Sequence, residues 1–326
     1  MKAIISRILA AAFLMTGAAA CNQQETDPEQ AGTSFVELSL TSFNVLSVES
    51  KSPWQPRVQP ICDIILREDH HPDVLCLQEV QHEEKQKDMI DIFSSEYDHH
   101  LIGIKDVQAS ASLIFWKRDR FIEVDSGWTD MLQGNVNYSA GKYESHRYAH
   151  WVQLKDKSTG GEFLVYDIHL KTNGTSANYQ QLRYDMISAI APAAIARSRK
   201  AGGIPLFIVG DFNSYMTTVY NGIRSAPATC LELGFTDAAT AAESSVNLKY
   251  KTSNINMETG ELDWKKNNDA GYHRIDYIFS YSARKNITVN RYWTVLDFKD
   301  GSETYVKMPV PSDHTPVNAV FTLEYK

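Results

Sequence analysis

The chain predicts an α/β domain built on two sheets, and three observations carry that. A strand, a helix and a second strand follow one another over residues 35–77. Several strand signals then come in succession with no helix between them, and the later half alternates helix and strand again. Alternation beside strand-only runs is the pattern of sheets covered by helices. The 326 residues are 43% hydrophobic and 22% charged, which is enough core-forming material for one large domain.

Residues 35–46 are rich in β-branched and aromatic side chains and read as the first strand, with Asn44 near its end. Val58, Ile61, Ile65 and Leu66 then recur at helical spacing, with Pro56 or Pro60 near the helix start. His71-Pro72-Asp73 stops that helix. Val74–Leu77 is the next strand, and Gln78-Glu79 sit at its exit. Residues 81–93 place Met89, Ile90 and Phe93 on one side of a surface helix. Strand signals follow at 100–104, 112–116, 121–125, 150–154 and 163–170, with 130–144 between them as a long loop. A helix over 177–200 carries Leu182, Met186, Ile187, Ile190 and Ile195 on one face, and Pro192 should kink or split it. Gly202-Gly203 ends it.

The apolar run Ile204–Val209 is the strand around which the chain is organised. It stops at Gly210, and Asp211-Phe212-Asn213 follow. Extended side chains alternate faces, so Asp211 and Asn213 point the same way. An anionic acceptor and a neutral amide on one sheet rim suit a metal-bound phosphate and its attacking water. A helical stretch to Leu233 comes next, closed by Gly234. Residues 243–271 read as an extended loop, and strands are expected at 275–279, 290–298 and 317–325.

The first residues are a targeting segment. Lys2 and Arg7 precede the apolar stretch Ile8–Met15, and the small residues Gly17 to Ala20 lead into Cys21. No later run reaches the ~18 apolar residues of a membrane span. This start resembles a bacterial lipoprotein signal, with Cys21 as the lipidated first residue of the mature protein; Ala18 stands where the usual pattern has Leu. A plain secretory signal is the other reading. The division expected is 1–20 signal peptide, 21–33 lipidated cysteine and flexible tether, and 34–326 catalytic domain. The protein would then be exported and membrane-anchored on the periplasmic or cell-surface side. Three cysteines remain, Cys62, Cys76 and Cys230. An odd number cannot pair completely, and a Cys62–Cys76 bridge has no positive support. Net charge is −8, which counts against duplex nucleic acid as the main partner.

Polar residues interrupt strand ends at Asn44, Glu79, Asp167, His169, Asp211, Asn213, Asp276, Asp313 and His314. Each alone has a plain explanation: a turn cap for Asn44, a helix N-terminal acid for Glu79, a core histidine for His169, an ion pair with Arg274 for Asp276, turn chemistry for Asp313. Their coincidence has none. Leu77-Gln78-Glu79-Val80, Gly210-Asp211-Phe212-Asn213, Arg274-Ile275-Asp276-Tyr277 and Ser312-Asp313-His314-Thr315 resemble, in order and spacing, the motifs of the endonuclease/exonuclease/phosphatase superfamily over about residues 38–322.

That resemblance implies a four-layer α/β/β/α sandwich, with two mostly antiparallel sheets packed face to face and the site at one end. It implies a phosphate-ester substrate and Mg²⁺, or Mn²⁺ in its place, as cofactor. Glu79 is similar to the principal metal ligand, with Asn44 beside it and Asp313 as a further contact. Asp211 and Asn213 resemble the pair that holds the attacking water and a phosphate oxygen. Asp276 and His314 resemble the acid–histidine dyad, and His169 the phosphate-contacting histidine. Arg147 falls where many members place a phosphate-binding arginine; a surface ion pair is its plain alternative. Either Asp211 or His314 would be the general base. Many members read Asn-Thr-His-Leu-Asp where this chain has Asp167-Ile168-His169-Leu170-Lys171, so Asp167 is either an extra acid near the site or a buried partner for Arg147. The reaction expected is hydrolysis of a phosphodiester or small phosphomonoester, such as a sugar or inositol phosphate or a phospholipid headgroup. An extracytoplasmic nuclease of the same superfamily is the alternative. A non-catalytic cell-surface binding module is the reading from another class.

Overall fold

Strand alternation decides the layering. The computed structural model describes residues 32–46, 52–101, 112–131, 137–138, 141–142, 147–171, 177–219, 221–253, 255–262 and 274–326. Cys21 and most of the tether lie outside them. Along the first strand, β1 (Ser34–Asn44), Val36, Leu38 and Leu40 enter one apolar cluster, while Phe43 enters another. The strand is therefore buried on both faces and lies inside a sheet that is covered twice.

The remaining strands are β2 (Val74–Gln78), β3 (Tyr97–His100), β4 (Leu113–Lys117), β5 (Phe121–Asp130), β6 (Asn137–Tyr138), β7 (Gly141–Lys142) and β8 (Tyr148–Asp156). After them come β9 (Glu162–His169), β10 (Leu206–Asp211), β11 (Thr236–Asp237), β12 (Ser244–Val246), β13 (Asp276–Tyr281), β14 (Ile287–Thr294) and β15 (Val317–Tyr325). One sheet has seven strands in the order β12-β14-β15-β1-β2-β4-β3, and the other six in the order β11-β13-β10-β9-β8-β5. Most neighbours are antiparallel; β1–β2, β9–β10 and β12–β14 are the parallel pairs. The inner faces meet in one apolar cluster that includes Leu38, Cys76, Val165, Val209, Ile278 and Phe321. Helices α1 (Gln55–Ile65) and α2 (Glu83–Phe93) cover the first sheet with Phe43, Leu75 and Leu77. Helices α3 (Ala177–Lys200) and α4 (Ala226–Glu232) cover the second with Tyr166, Ile208 and Phe279. A short α5 (Ala238–Ala241) follows β11, its N-terminus capped by Asp237. The order of layers is thus helix, sheet, sheet, helix. Thr33–Lys326 forms one compact unit.

Several expectations are corrected. Helix α3 continues through Pro192 as one element rather than splitting there. A proline inside a helix costs about 3 kcal/mol. Here its ring faces solvent, while Leu182, Met186, Ile187, Ile190, Ala191 and Ala194 bury on both sides of it. Each large apolar side chain buried contributes about 1.5–3 kcal/mol, so packing wins. The fifth strand extends to Asp130 rather than ending at 125, and β3 ends at His100, while 102–104 of the strand expected at 100–104 lie outside the described residues. The two-residue strands β6 and β7 pair inside the expected 130–144 loop, and β12 lies inside the expected 243–271 loop. Cys62, Cys76 and Cys230 are all free and buried. Cys62 packs on the helix side of its sheet and Cys76 between the sheets, so the sheet itself separates them.

Candidate active site

Register brings the site residues to one end of the sandwich. Asp211 closes β10, and its register partners are His169 on β9 and Asp276 on β13. Val209 and Ile278, two residues away on their strands, and Val165, four residues away on β9, enter the core between the sheets. Side chains two apart share a face, so Asp276, Asp211 and His169 form a row aimed at the facing sheet. On that sheet Asn44 and Gln78 are partners at the same end, and Glu79 follows at once. The glycine before Asp211 has a steric reason. A Cβ on Gly210 would lie 1.8 Å from the Ile168 carbonyl oxygen. Three residues around the mouth hold left-handed backbone: Leu46 (φ 51°), Glu79 (61°) and Asn213 (47°). Such conformations persist where surrounding bonds over-determine them, and they gather at functional sites.

Asp211 is the hub. It accepts from Asn44 Nδ2 at 3.0 Å, from the Asn213 backbone N–H at 2.7 Å and from Asn213 Nδ2 at 3.2 Å. Asn44 Nδ2 also donates to Glu79 Oε1 at 3.1 Å, and its bond to Asp211 ties the two sheets across the mouth. The Asn44 oxygen is taken by the Leu46 N–H at 3.0 Å, so the residue presents nitrogen to the carboxylates. Asn213 likewise donates to the Leu170 carbonyl at 3.0 Å.

The two histidines approach Asp211 from different chain segments. His169 Nε2 lies 3.6 Å from Asp211 Oδ2 and 3.8 Å from Glu79 Oε1, and has no hydrogen-bond partner. His314 Nδ1 bonds Asp276 Oδ2 at 2.9 Å, and its Nε2 lies 3.9 Å from Asp211 Oδ2. Their proton affinities diverge. Burial, helped by the Arg147 charge, lowers His169 to about 4, with Asp211 and Glu79 opposing. Burial also works to lower His314, but the Asp276 carboxylate and its hydrogen bond, then Asp211 and Asp313, raise it to about 10. Asp211 is itself raised, by burial and then by Asp276. Neighbouring groups pushed apart in this way mark acid and base roles.

Arg147 is buried. One terminal nitrogen donates to the His169 carbonyl at 3.3 Å, and Nε has no partner. Burial lowers its affinity to about 10, with Glu79 and Asp211 opposing. Asp313 is half-buried next to His314. Among the described residues, Asp211, Asp276 and His314 bring metal-type ligand atoms within 4.8 Å of one another. Two plain readings fail. Arg274 pairs with Asp237, its Nη2 lying 2.6 Å from Asp237 Oδ2, and not with Asp276. Asp167 accepts from Gln78 Nε2 at 2.7 Å instead of pairing with Arg147.

A family model for the endonuclease/exonuclease/phosphatase family matches residues 41–314. The chain belongs to that family. Members of that family act on phosphate ester bonds. It is 25% identical over 297 residues to Nocturnin of Drosophila melanogaster, and 24% identical over 228 residues to carbon catabolite repressor protein 4 homolog 3 of Arabidopsis thaliana. The matches cover 84% and 64% of this chain but only 43% and 47% of those relatives, so it spans under half the length of either. Among solved structures, an endonuclease/exonuclease/phosphatase family protein from Bacteroides thetaiotaomicron superposes with TM-score 0.68 at 22% identity, covering 90% of this chain and all of that one. A mannosyl-6-phosphatase of the same organism gives 0.63 at 21%, covering 87% and 99%. The human Nocturnin catalytic domain with bound sulfate gives 0.57 at 18%, covering 89% and 97%. These structural likenesses establish the fold.

Sequence reasoning missed Thr252, which is fully buried. Its hydroxyl accepts from the Ile275 and Asp276 N–H groups, each at 3.1 Å, and its carbonyl accepts from the Thr315 N–H at 2.8 Å. It joins the two halves of the Asp276–His314 pair. A threonine in a polar loop carries no signal for that.

Proposed function

We propose that this chain is a metal-dependent phosphoesterase that splits a small phosphate ester by in-line attack of water. The observation supporting this most is Asp211, a buried carboxyl of raised affinity between a histidine held low and a histidine held high. Asp211 takes the proton from the attacking water, and the amide of Asn213 keeps it aligned. His314, kept protonated by Asp276, faces the charge that develops on the phosphoryl oxygens. His169 and Arg147 bind the phosphate from the other side.

The donor set fits Mg²⁺, with Mn²⁺ as substitute. Asp211 and Asp276 bring carboxylate oxygens within 4.8 Å of a His314 nitrogen, Glu79 shares the Asn44 amide with Asp211, Asp276 Oδ1 has no partner, and no thiolate is near. In this reading Glu79 would hold the ion, with Asp313 and Asn44 as further contacts. The bound ion supplies charge neutralisation at the phosphoryl group. A sugar phosphate or similar small ester is the proposed substrate. The net charge of −8 and the similarity to a mannosyl-6-phosphatase support it over a polynucleotide. We also propose export and membrane anchoring through lipid on Cys21; Cys21→Ser should release the protein from membranes.

Hydrolysis of mannose 6-phosphate, inositol phosphates, a bis-ester and single-stranded DNA should be assayed with Mg²⁺ and with chelator. Chelator should abolish turnover. Glu79→Ala, Asp211→Ala and His314→Ala should each lower kcat by about 10³-fold or more while the fold survives. If no ester is split with Mg²⁺ or Mn²⁺ present, or the variants match wild type, the proposal is wrong.

A further inference from the structure

We infer that Arg57 is a positioning residue for this site, joined with Ser312 in one clamp. Arg57 lies in the first turn of α1 and is 1% exposed. A cation is disfavoured there twice, by the positive end of the helix and by burial. Its bonds explain the placement. Nη1 donates to the Val45 carbonyl at 2.7 Å and to the Pro311 carbonyl at 2.8 Å, Nη2 donates to the Leu46 carbonyl, and Nε donates to the Pro53 carbonyl at 3.1 Å.

Two of those acceptors belong to the exit of β1, directly after Asn44. A third precedes the turn that carries Asp313 and His314. Ser312 closes the same joint: its hydroxyl donates to the Asn44 carbonyl at 2.7 Å and accepts from the His314 N–H at 3.1 Å. Leu46, whose N–H holds the Asn44 oxygen, sits in left-handed backbone with its carbonyl under the guanidinium. One fork and one hydroxyl therefore set the spacing between the Asn44 side of the mouth and the His314 side. Arg57 is itself steadied by the Trp54 ring 5.5 Å away, and Trp54 Nε1 bonds Asp88 of α2 at 2.9 Å. Lysine cannot replace it, because a single ammonium lacks the planar fork that spans carbonyls on two segments.

The kinetic half of this inference rests on the proposed phosphoesterase activity; the spectroscopic half does not. Full-length protein with Arg57→Met, Arg57→Lys and Ser312→Ala should be compared with wild type. Misplacing a reacting group by about 1 Å costs roughly 10²-fold, so Arg57→Met should lose on the order of 30- to 100-fold in kcat with KM within about twofold, and Arg57→Lys should recover only part. In the metal-free protein, the downfield imidazole N–H resonance of His314, identified by its loss in His314→Gln, should broaden or vanish in Arg57→Met and weaken in Ser312→Ala. If Arg57→Met does not fold, Ser312→Ala decides, since it removes one hydroxyl from the same clamp. Folded variants with wild-type kcat and an unchanged resonance, or with a lowered melting point as their sole change, would overturn the inference. Should wild type split no ester, the resonance still decides the clamp while the functional proposal falls.

Discussion

Arg147 and Arg274 are both buried, yet the chain treats their charges in opposite ways. Arg274 is wholly buried, and its Nη2 lies 2.6 Å from Asp237 Oδ2 and its Nη1 3.3 Å from Oδ1. The rings of Tyr277 and Tyr292 lie 4.7 and 5.6 Å from its guanidinium. Burial pulls its proton affinity down, but Asp237 and the two phenols more than reverse that, and the net shift is upward. At the mouth, Arg147 bonds a backbone carbonyl and has an Nε without a partner, and its affinity falls. The first arrangement is closed within the fold. The second leaves hydrogen-bonding capacity open beside Glu79 and Asp211, where a phosphate would complete it. Burial alone thus does not distinguish a structural arginine from a ligand-binding one; the completeness of its bonding does.

The largest expected effect tests the closed case. Arg274→Ala strands Asp237 as an uncompensated buried charge and should cost about 3–5 kcal/mol, read as a drop in the denaturant midpoint at constant slope. Arg274→Met with Asp237→Leu should recover most of it, less about 1 kcal/mol for the lost cap on α5. An Arg274→Ala protein as stable as wild type would erase the contrast. Arg147→Ala should do the reverse. Its denaturant midpoint should stay put or rise, while kcat/KM falls about 10²- to 10³-fold and inorganic phosphate no longer protects against heating. Loss of stability with activity retained would show Arg147 to be structural.

The contrast extends to imidazoles. His70 is closed like Arg274: Nδ1 faces the Ile64 carbonyl at 2.7 Å and Nε2 the Thr41 hydroxyl at 2.8 Å. Burial lowers it to about 4 from an ordinary 6.5. The unfolded chain therefore binds the extra proton between those values, and stability present above 6.5 is lost as pH falls towards 4. His70 should contribute on the order of 3 kcal/mol to that loss, and His70→Gln should flatten this part of the profile. His169 is lowered similarly but keeps an open Nε2, so bound phosphate should raise its affinity while leaving that of His70 in place. Histidine titration by NMR, with and without phosphate, separates the two.

How much of this was legible depended on whether the signal was local. Asp211 could be placed at a rim because an apolar run stops at Gly210, and the glycine is required by the Ile168 oxygen against it. Asn44 ends β1, Glu79 follows β2 and Asp276 opens β13, each a visible polar residue at the margin of an apolar run, and register does the rest. Arg57 and Thr252 left no trace, because their acceptors and donors lie on segments remote in sequence and are backbone atoms that any residue would supply. Pro192 misled, since the cost of one missing N–H is visible in the sequence while the packing that outweighs it is not. The pairing of Arg274 went to Asp237 rather than to its neighbour Asp276 for a related reason. Extended residues two apart point the same way, yet Arg274 precedes the strand and turns towards the Tyr277 and Tyr292 rings.

Asp167 gives the smallest and sharpest test. It lies two residues before His169 on the same face, fully buried, with Oδ1 accepting from Gln78 and Oδ2 without a partner. Burial pushes its affinity well above the ordinary carboxyl value, and Gln78 and Ser112 only partly offset that. A raised carboxyl means the folded state holds a proton that the unfolded chain releases, so stability falls as pH rises above about 4 towards the folded value. Asp167 then behaves as a neutral stand-in for the amide that many family members carry there. Asp167→Asn should remove that slope, giving a gain in stability that grows as pH rises above about 4, with kcat within a few-fold of wild type. Denaturation across that range decides it. A variant destabilised at every pH would mean that Asp167 is ionised in the fold, and that the layer beneath the mouth carries a charge the site depends on.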